Sequence, residues 1–321
     1  MDFFKKLFII TIGENKIMLT NTNIIFEYAQ KHKCAICAFN VSNLETMQAV
    51  TEAAKELKAP IIISASEGAI EYAGAENLVC LAANLTRGTS VPMALHLDHG
   101  KSYEICKKCI DAGFSSVMID GSALPFEENI ALTKKVVNYA HKFGVSVEGE
   151  LGQIIGIEDN VNSASSVLTN PADAKEFVNK TKCDSLAISI GTAHGINKGA
   201  ITPQIHYETI EAVSKALGKK YPLVAHGSSA VPQNLVANIN RFGGEITKSQ
   251  GIDYIDLEKM SRTSICKINI DTDLRLCFTS SVRQFLFENR NVFDPRKILG
   301  EAKKQTKEYA EYLISLITLQ K

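Results

Sequence analysis

The chain has 321 residues, and its 35 lysines and arginines balance its 35 aspartates and glutamates. A formal net charge of zero argues against a general binder of nucleic acid or of anionic membranes. Apolar residues make up 45% of the chain, an ordinary share for a globular protein, and no apolar stretch is long enough to span a bilayer. We therefore expect a globular protein that binds neither nucleic acid nor membrane.

The amino terminus, MDFFKKLFIITIGENKI, places two lysines before an apolar run from Leu7 to Ile12. This run is shorter than the ~7–15 apolar residues of a signal peptide, and no small-residue cleavage site follows it. We interpret residues 1–17 as an extension before the main domain, or as a small capping strand, rather than as an export signal.

From residue 18 onwards the hydrophobic periodicity alternates between strand and helix. Eight such units in a chain of this length predict a single closed (β/α)8 TIM barrel over residues 18–321, ending in a helical extension. The alternative is a doubly wound open sheet, but no G-x-G-x-x-G sequence follows the first strand to support dinucleotide binding. The predicted strands are 34–40, 60–66, 92–99, 115–121, 145–152, 185–191, 222–226 and 264–271. The predicted helices are 44–57, 75–87, 103–112, 126–143, 171–180, 203–217, 231–242 and 272–289.

The eight cysteines include two C-x-x-C pairs, Cys34/Cys37 and Cys106/Cys109. The first pair lies in a predicted strand, where the odd spacing directs the two thiols to opposite faces. The second lies in a predicted helix, and no ribbon-like spacing joins the two pairs. We predict structural thiols in the reducing cytoplasm rather than zinc ligands or disulfides.

Three predicted strands end in a histidine beside glycine or aspartate. The segments are PMALHLDHG, LAISIGTAHG and PLVAHGSS, and their histidines are His99, His194 and His226. Imidazoles that converge from three strand ends can bind a catalytic zinc and leave a fourth coordination position open. His32, His141 and His206 are expected at the surface. His96, inside a strand, is expected to be a packed interior group or a hydrogen-bond partner of a metal ligand.

Two strands place polar residues on one face. Glu148 and Glu150 share a face in VEGEL, and Lys267, Asn269 and Asp271 share a face in KINID. Burying so much charge is costly unless the groups pair or bind something. For Glu148 and Lys267, a structural salt bridge and a functional role are equally compatible with the pattern. Glu150, Asn269 and Asp271 lie nearer the strand ends, where a functional role is favoured.

Other segments suit acid–base chemistry and anion binding. Asp98, next to His99, is either a proton acceptor or a turn-forming residue. The loops GTAHGINKG and HGSSAVP can surround a phosphate with backbone N–H groups, and Thr272 and Arg275 follow the last strand. The polar segment after the fifth strand, which contains Glu158 and Asp159, is typical of a mobile lid or a disordered connection.

With these residues in place, the chain resembles the class II, metal-dependent fructose-1,6-bisphosphate aldolases from about Met18 to its end. The resemblance rests on AFNVSN, LHLDHG, GFSSVMIDGSALPFEENI, VEGELG, GTAHG, HGSS and KINIDTDLR, in the family's order. It implies reversible cleavage of fructose 1,6-bisphosphate to dihydroxyacetone phosphate and glyceraldehyde 3-phosphate, through an enediolate that zinc stabilises. It also implies a glycolytic or gluconeogenic role and a homodimer or homotetramer.

The resemblance assigns a role to each matching residue. His99, His194 and His226 would bind zinc, with Glu150 near an alternative metal position. Asp98 would exchange the C4 hydroxyl proton, Glu158 the proton at the enediolate carbon, and Asn269 would contact the enediolate. A monovalent cation would lie near the phosphate site, and Arg275 would meet the second phosphate across a subunit interface. The matching substrate and phosphate positions are Asn40, Ser66, Gly195, Lys198, Gly227, Ser229, Asp271, Thr272 and Arg275.

One departure and several alternatives accompany this interpretation. The family's lid has two adjacent glycines before its acidic pair, whereas Ile155 and Gly156 stand here. Asp271 favours fructose over tagatose 1,6-bisphosphate, because tagatose enzymes of the family tend to carry a small residue there. A Schiff-base aldolase would have to use Lys267 as its nucleophile. A zinc hydrolase would not explain the two anion-binding loops, and a non-catalytic binding protein would not explain the acid–base residues. Cobalt or iron can occupy the same imidazoles as zinc.

Overall fold

The computed structural model describes residues 19–158, 161–163, 167–196, 204–247 and 249–320, with the backbone alone for 155–158 and 161–163. The predicted extension over residues 1–17, Asp159 and the predicted phosphate ligand Lys198 lie outside the described residues. The side chain of Glu158 also lies outside them.

Eight parallel strands close into a barrel, which confirms the predicted (β/α)8 fold. The barrel strands are β1 (Ile36–Asn40), β2 (Ile61–Ser66), β3 (Met93–Gly100), β4 (Ser116–Ile119), β5 (Ser146–Leu151), β8 (Ser185–Ile188), β10 (Leu223–Ala225) and β11 (Ile265–Ile270). Around the barrel their order is β1, β11, β10, β8, β5, β4, β3 and β2, so each barrel strand pairs with its neighbours in the chain and the last pairs with the first.

Each of the eight predicted helices is present, with boundaries that differ by at most a few residues. They are α2 (Leu44–Leu57), α4 (Ala75–Leu85), α5 (Tyr103–Ala112), α6 (Phe126–Ala140), α7 (Pro171–Thr181), α8 (Tyr207–Leu217), α9 (Gln233–Arg241) and α11 (Thr272–Glu288). The carboxyl-terminal extension is α12 (Pro295–Ile317), which packs against α2 and α11. Three helices are not anticipated by the periodicity: α1 (Thr22–His32), α3 (Glu67–Ala73) and α10 (Tyr254–Ser261).

The amino-terminal end of the barrel is covered by α1. Ile25, Phe26 and Ala29 of this helix are buried against Ile36 of β1 and Ile62 of β2. An amphipathic helix that closes the bottom of a barrel contributes apolar burial there and leaves the opposite end open. The site is therefore expected at the carboxyl ends of the strands.

The segment after β5 contains two short strands, where the polar sequence predicted a mobile lid or a disordered connection. Backbone strands β6 (Ile155–Glu158) and β7 (Val161–Ser163) are antiparallel, and β6 also pairs in parallel with β9 (Ala193–His194). The register aligns Gly156 with His194. This backbone pairing joins the segment that contains Glu158 to the strand that contains His194.

All eight cysteines are free thiols, as the sequence predicts. Cys37, Cys106 and Cys109 are buried, and burial raises their thiol pKa values above the ordinary range. Among the residues that the structure describes, no helix is long and apolar enough to cross a membrane.

Candidate active site

An irregularity in β3 directs two consecutive side chains into the same cavity. Neighbouring residues of a strand normally point to opposite faces. Between Leu97 and Gly100 the pairing with β4 shifts register, and His99 adopts a left-handed backbone conformation with φ of 49°. A bulge of this kind re-aims side chains, so Asp98 and His99 both line the cavity at the carboxyl end of the barrel.

The three predicted histidine ligands meet at this end. The ring centroid of His99 lies 4.5 Å from that of His226 and 4.9 Å from that of His194. The centroids of the His194 and His226 rings are 6.1 Å apart. His99 and His226 each offer a ligand atom within 4.8 Å of one another and of an Asp98 oxygen. All three imidazoles are buried, although their strands are distant in sequence.

A second group of close ligand atoms joins His99 to Asp120 and Glu150. Asp120 follows β4, accepts a hydrogen bond of 2.6 Å from Lys101 Nζ, and lies 3.3 Å from His99 Nδ1. Burial and the nearby Asp120 charge raise the pKa of Glu150 to about 8. Glu150 Oε2 lies 3.8 Å from His99 Nδ1, so this carboxyl group is held beside one of the predicted ligand imidazoles.

Asp98, on β3, is held by two amides that come from β1 and β11 across the barrel interior. Asn40 Nδ2 donates to one carboxylate oxygen at 2.8 Å, and Asn269 Nδ2 donates to the other at 2.9 Å. Burial alone would raise the pKa of Asp98, but the nearby His99, His226 and Lys267 side chains lower it well below its usual range. The carboxylate is therefore ionised, and the two amides hold it in one orientation.

Among the described residues, the predicted phosphate positions Gly195, Gly227, Ser229 and Thr272 lie around the loop after β10. Gly227 has φ of +62°, and a Cβ atom there would lie 2.7 Å from the Ala193 carbonyl, so only glycine lets this loop pack on β9. Ser229 Oγ accepts a hydrogen bond of 3.3 Å from the Asp271 N–H, and Thr272 begins α11 beside it. Gly195 lines the same cavity.

A buried carboxylate fixes the end of this loop. Asp273, on α11, accepts hydrogen bonds from the N–H groups of Ala230 at 2.9 Å and of Val231 at 2.7 Å. Val231 has φ of 50°, which is unfavourable for a β-branched residue. Tyr309 of α12 donates to the same carboxylate at 3.1 Å, so the carboxyl-terminal extension also supports the loop.

A larger cavity of about 480 Å³ opens beside this centre, between the ends of β1, β2 and α11. Its lining includes Asn40, Ser66, Asp271 and Arg275. Arg275 Nε donates to Asp271 Oδ1 at 2.6 Å, and its side chain is half exposed. The volume is within the range of cavities that hold small-molecule ligands.

One pleat below the histidines, the barrel interior contains a buried ion pair. Lys267 Nζ donates to Glu148 Oε2 at 2.8 Å, so the salt-bridge alternative for these two residues is the one the structure shows. Glu148 Oε1 lies 2.8 Å from His226 Nε2. An ammonium group held by a carboxylate is not the free amine that attacks a carbonyl, which disfavours a Schiff base at Lys267.

The donor set suits a divalent transition metal. His99 Nε2 and Glu150 Oε2 are buried atoms without a hydrogen-bond partner among the described residues. Buried polar atoms are nearly always satisfied, so such exceptions at one point need an explanation. Imidazole nitrogens backed by carboxylates, as with His226 and Glu148, are typical of zinc sites.

Asp120 and Asp273 also contact the candidate site, and no sequence pattern identifies them in advance. A carboxylate directly after β4 is a signal comparable to Asp98 after β3, but aspartates at strand ends commonly form turns. Nothing local marks Asp273, because its partners lie about 40 residues away, at Ala230 and Val231. The surface histidines behave as expected: His141 and His206 pair with Asp184 and Glu208.

Comparison with known proteins decides the family. The model of the class-II fructose-bisphosphate aldolases matches residues 20–320. The chain belongs to the class-II fructose-bisphosphate aldolase family. The fructose-bisphosphate aldolase of Thermus caldophilus is 44% identical over 301 residues, covering 93% of this chain and 98% of the relative. That of Treponema pallidum is 42% identical over 308 residues, covering 90% and 92%.

Solved structures agree with this membership. The YdjI aldolase from Escherichia coli K12 superimposes with a TM-score of 0.75 at 32% identity, covering 94% of this chain and 97% of that one. The chain is thus a class-II aldolase, a metal-dependent carbon–carbon lyase that cleaves fructose 1,6-bisphosphate reversibly, and its family acts on phosphorylated sugars.

Proposed function

We propose that the centre at the carboxyl end of the barrel carries out the aldolase reaction with zinc held by His99, His194 and His226. The observation that carries this proposal is the convergence of three buried imidazoles from separate strands beside an ionised Asp98. When bound, zinc supplies a Lewis acid that draws electron density from the substrate carbonyl. Glu150 offers the alternative metal position, and the buried Glu150 Oε2 atom supports that assignment.

Asp98 is the proposed proton acceptor for cleavage. It takes the proton of the C4 hydroxyl as the C3–C4 bond breaks, glyceraldehyde 3-phosphate leaves, and the electron pair stays on C3 as the enediolate of dihydroxyacetone phosphate. In condensation the same proton returns. The two amide donors that hold Asp98, at 2.8 and 2.9 Å, orient it for this transfer.

Asn269 and Glu158 are the proposed partners of the enediolate. Asn269 already donates to Asp98 and lies 3.2 Å from His226 Nδ1, so its amide is next to both the proton acceptor and a metal ligand. Glu158 would exchange the proton at the enediolate carbon. Its backbone lies in β6, which pairs with the strand of His194.

The phosphate groups of the substrate are assigned to the loops after β8, β10 and β11. Gly195, Lys198, Gly227, Ser229 and Thr272 would hold the phosphate of the dihydroxyacetone half with backbone N–H and hydroxyl groups, near a monovalent cation. Asn40, Ser66 and Asp271 would contact the sugar chain in the adjoining cavity. The exposed Arg275 would meet the second phosphate of a substrate bound to a neighbouring subunit, which implies a homodimer or homotetramer.

We also propose that the enzyme works in the cytoplasm, which the eight free thiols support. Its ordinary substrate would be fructose rather than tagatose 1,6-bisphosphate, because Asp271 stands where a small residue would favour tagatose.

The test is to measure kcat/KM for both bisphosphates with the zinc-loaded enzyme, and to repeat the measurement with Asp271→Ala. We expect fructose 1,6-bisphosphate to be preferred by the unaltered chain and the preference to shrink in the variant. A native preference for tagatose 1,6-bisphosphate would contradict the substrate assignment. A molecular mass in solution equal to that of one chain would contradict the assignment of Arg275.

A further inference from the structure

A chain of hydrogen bonds runs along the barrel interior below the proposed metal centre. Ser116 Oγ lies 2.8 Å from His96 Nδ1, and His96 Nε2 lies 3.1 Å from Lys267 Nζ. Lys267 Nζ also donates to Glu148 Oε2 at 2.8 Å, and Glu148 Oε1 lies 2.8 Å from His226 Nε2. The side chains of His96, Lys267 and Glu148 are almost wholly inaccessible to solvent.

The donor and acceptor properties of each group determine where the protons lie along this series of hydrogen bonds. A lysine ammonium donates hydrogen bonds and accepts none, so the ring nitrogen of His96 that faces it, Nε2, must be the acceptor. The proton of His96 therefore lies on Nδ1, which donates to Ser116. Burial lowers the pKa of His96 to about 3, in agreement with a neutral ring that has one acceptor nitrogen.

The same reasoning applies on the other side of Lys267. Its ammonium lies 2.8 Å from Glu148 Oε2 and forms a buried ion pair with the Glu148 carboxylate. A carboxylate only accepts hydrogen bonds, so His226 must carry its proton on Nε2. The lone pair of His226 is then on Nδ1, the nitrogen that faces Asn269 in the layer above.

We propose that Lys267 is a positioning residue for the metal centre: its charge fixes the proton of His226 on Nε2 and leaves Nδ1 as the ligand atom. This inference rests on the proposed function, because it takes His226 to be a zinc ligand. Lys267 acts through Glu148 and contacts neither substrate nor metal. It would account for a buried lysine in a barrel whose chemistry needs no Schiff base.

The test compares two variants with the unaltered full-length chain. Lys267→Met removes the ammonium charge but leaves the Glu148 carboxylate buried without a counter-charge. The double variant Glu148→Gln/Lys267→Met removes both charges, so the test can still be made if the single variant does not fold. Ile268→Val is the matched control, because its side chain lies on the outer face of the same strand and is equally buried. Zinc affinity is measured by competition with a chromophoric chelator, and ¹⁵N spectra of the zinc-loaded histidines report the ligating nitrogen of His226.

We expect both variants to bind zinc ~10–100-fold more weakly, the usual effect of losing a group that orients a ligand. The spectra should show Nδ1 ligation of His226 in the unaltered chain and mixed or altered ligation in the variants. Ile268→Val should match the unaltered chain in both readouts.

The outcomes separate this inference from the proposed function. If the folded variants bind zinc as tightly as the unaltered chain, or if His226 ligates through Nε2, the role of Lys267 is refuted while the zinc centre stands. If the unaltered chain binds no zinc at all, the proposed centre and this inference are both overturned.

Discussion

Two layers of the barrel interior, one pleat apart, use polar residues in opposite ways. The lower layer contains Glu148 and Lys267, which are bonded to each other and to histidines on either side. The upper layer contains Glu150 and Asn269, two residues further along the same two strands, and each has a buried oxygen without a hydrogen-bond partner among the described residues.

This difference distinguishes a layer that supports the structure from a layer that can bind metal and substrate. A buried charge without its partner is far more costly than a paired one, so the lower layer holds its side chains in fixed positions. Buried polar atoms without a hydrogen-bond partner need an explanation, and in the upper layer a bound metal or substrate would supply it. Along each of these two strands, residues two positions apart therefore have different roles: the lower one supports the fold, and the upper one belongs to the proposed active site. The carboxyl-end location agrees with the general position of active sites in these barrels.

The largest expected effect is the loss of a ligand in the upper layer. His194→Ala should abolish zinc retention and aldolase activity together, because it removes one of three proposed imidazole ligands. Metal analysis after gel filtration and a cleavage assay test this. His206→Ala, at a partly exposed histidine that pairs with Glu208, is the control and should retain both. Full activity without bound metal in the His194 variant would refute the zinc assignment.

The next effect isolates proton transfer from metal binding. Asp98→Ala should leave zinc bound while kcat falls by ~10²–10⁴-fold, the range for losing one positioned proton-transfer group. Zinc content and steady-state turnover are measured on the same preparation. Near-normal turnover would reduce Asp98 to a structural role, and loss of zinc would make it a ligand, since its carboxylate lies within 4.8 Å of His99 and His226 ligand atoms.

A matched pair of substitutions compares the layers directly. Glu148→Gln should lower the free energy of unfolding of the metal-free chain by about 3–5 kcal/mol, because it leaves Lys267 buried without a counter-charge. Glu150→Gln should change it by about 1 kcal/mol or less, because a carboxyl group with a pKa of about 8 is already largely neutral at pH 7. Urea denaturation measures both. Equal losses would contradict the distinction between the layers.

The smallest effect concerns the amino end of the barrel. His141 pairs with Asp184 at 2.8 Å, and this hydrogen bond raises the pKa of His141 above 6.5. The pair therefore stabilises the fold below pH 6.5, and this contribution is lost as the pH rises through the raised pKa of His141.

His141→Gln should accordingly cost up to about 1 kcal/mol at about pH 5.5 and less at about pH 9, as for other largely exposed pairs. Thermal unfolding at both pH values measures the difference. His32→Gln is the control, since the ring of His32 is exposed and stacks on Tyr28. A destabilisation by His141→Gln that grows with pH would contradict this sign.

Much of the fold follows from periodicity. The alternation of apolar runs such as 60–66 with amphipathic stretches such as 44–57 specifies the barrel, because each pattern is stable in only one kind of structure. The periodicity does not predict helix α1, because this helix covers the amino-terminal end of the barrel. The residues that it covers there, such as Ile36 and Ile62, are distant in sequence. The strand pairing of β6 with β9 depends likewise on contacts that no local pattern encodes.

The candidate site divides in the same way. Histidines at three strand ends are visible in the sequence because the strand ends of a parallel barrel converge. The bulge that turns both Asp98 and His99 inward is not, since it depends on a register shift against β4. The hydrogen bonds that the Asp273 carboxylate accepts from the N–H groups of Ala230 and Val231 likewise become visible only once β10 and β11 are adjacent.

The most direct test of the upper layer as a zinc-dependent centre is cleavage of fructose 1,6-bisphosphate before chelation, after chelation and after zinc is added back. We expect activity that disappears with the chelator and returns with zinc. Activity that does not change with the chelator would contradict the zinc-dependent mechanism and favour a Schiff base at Lys267.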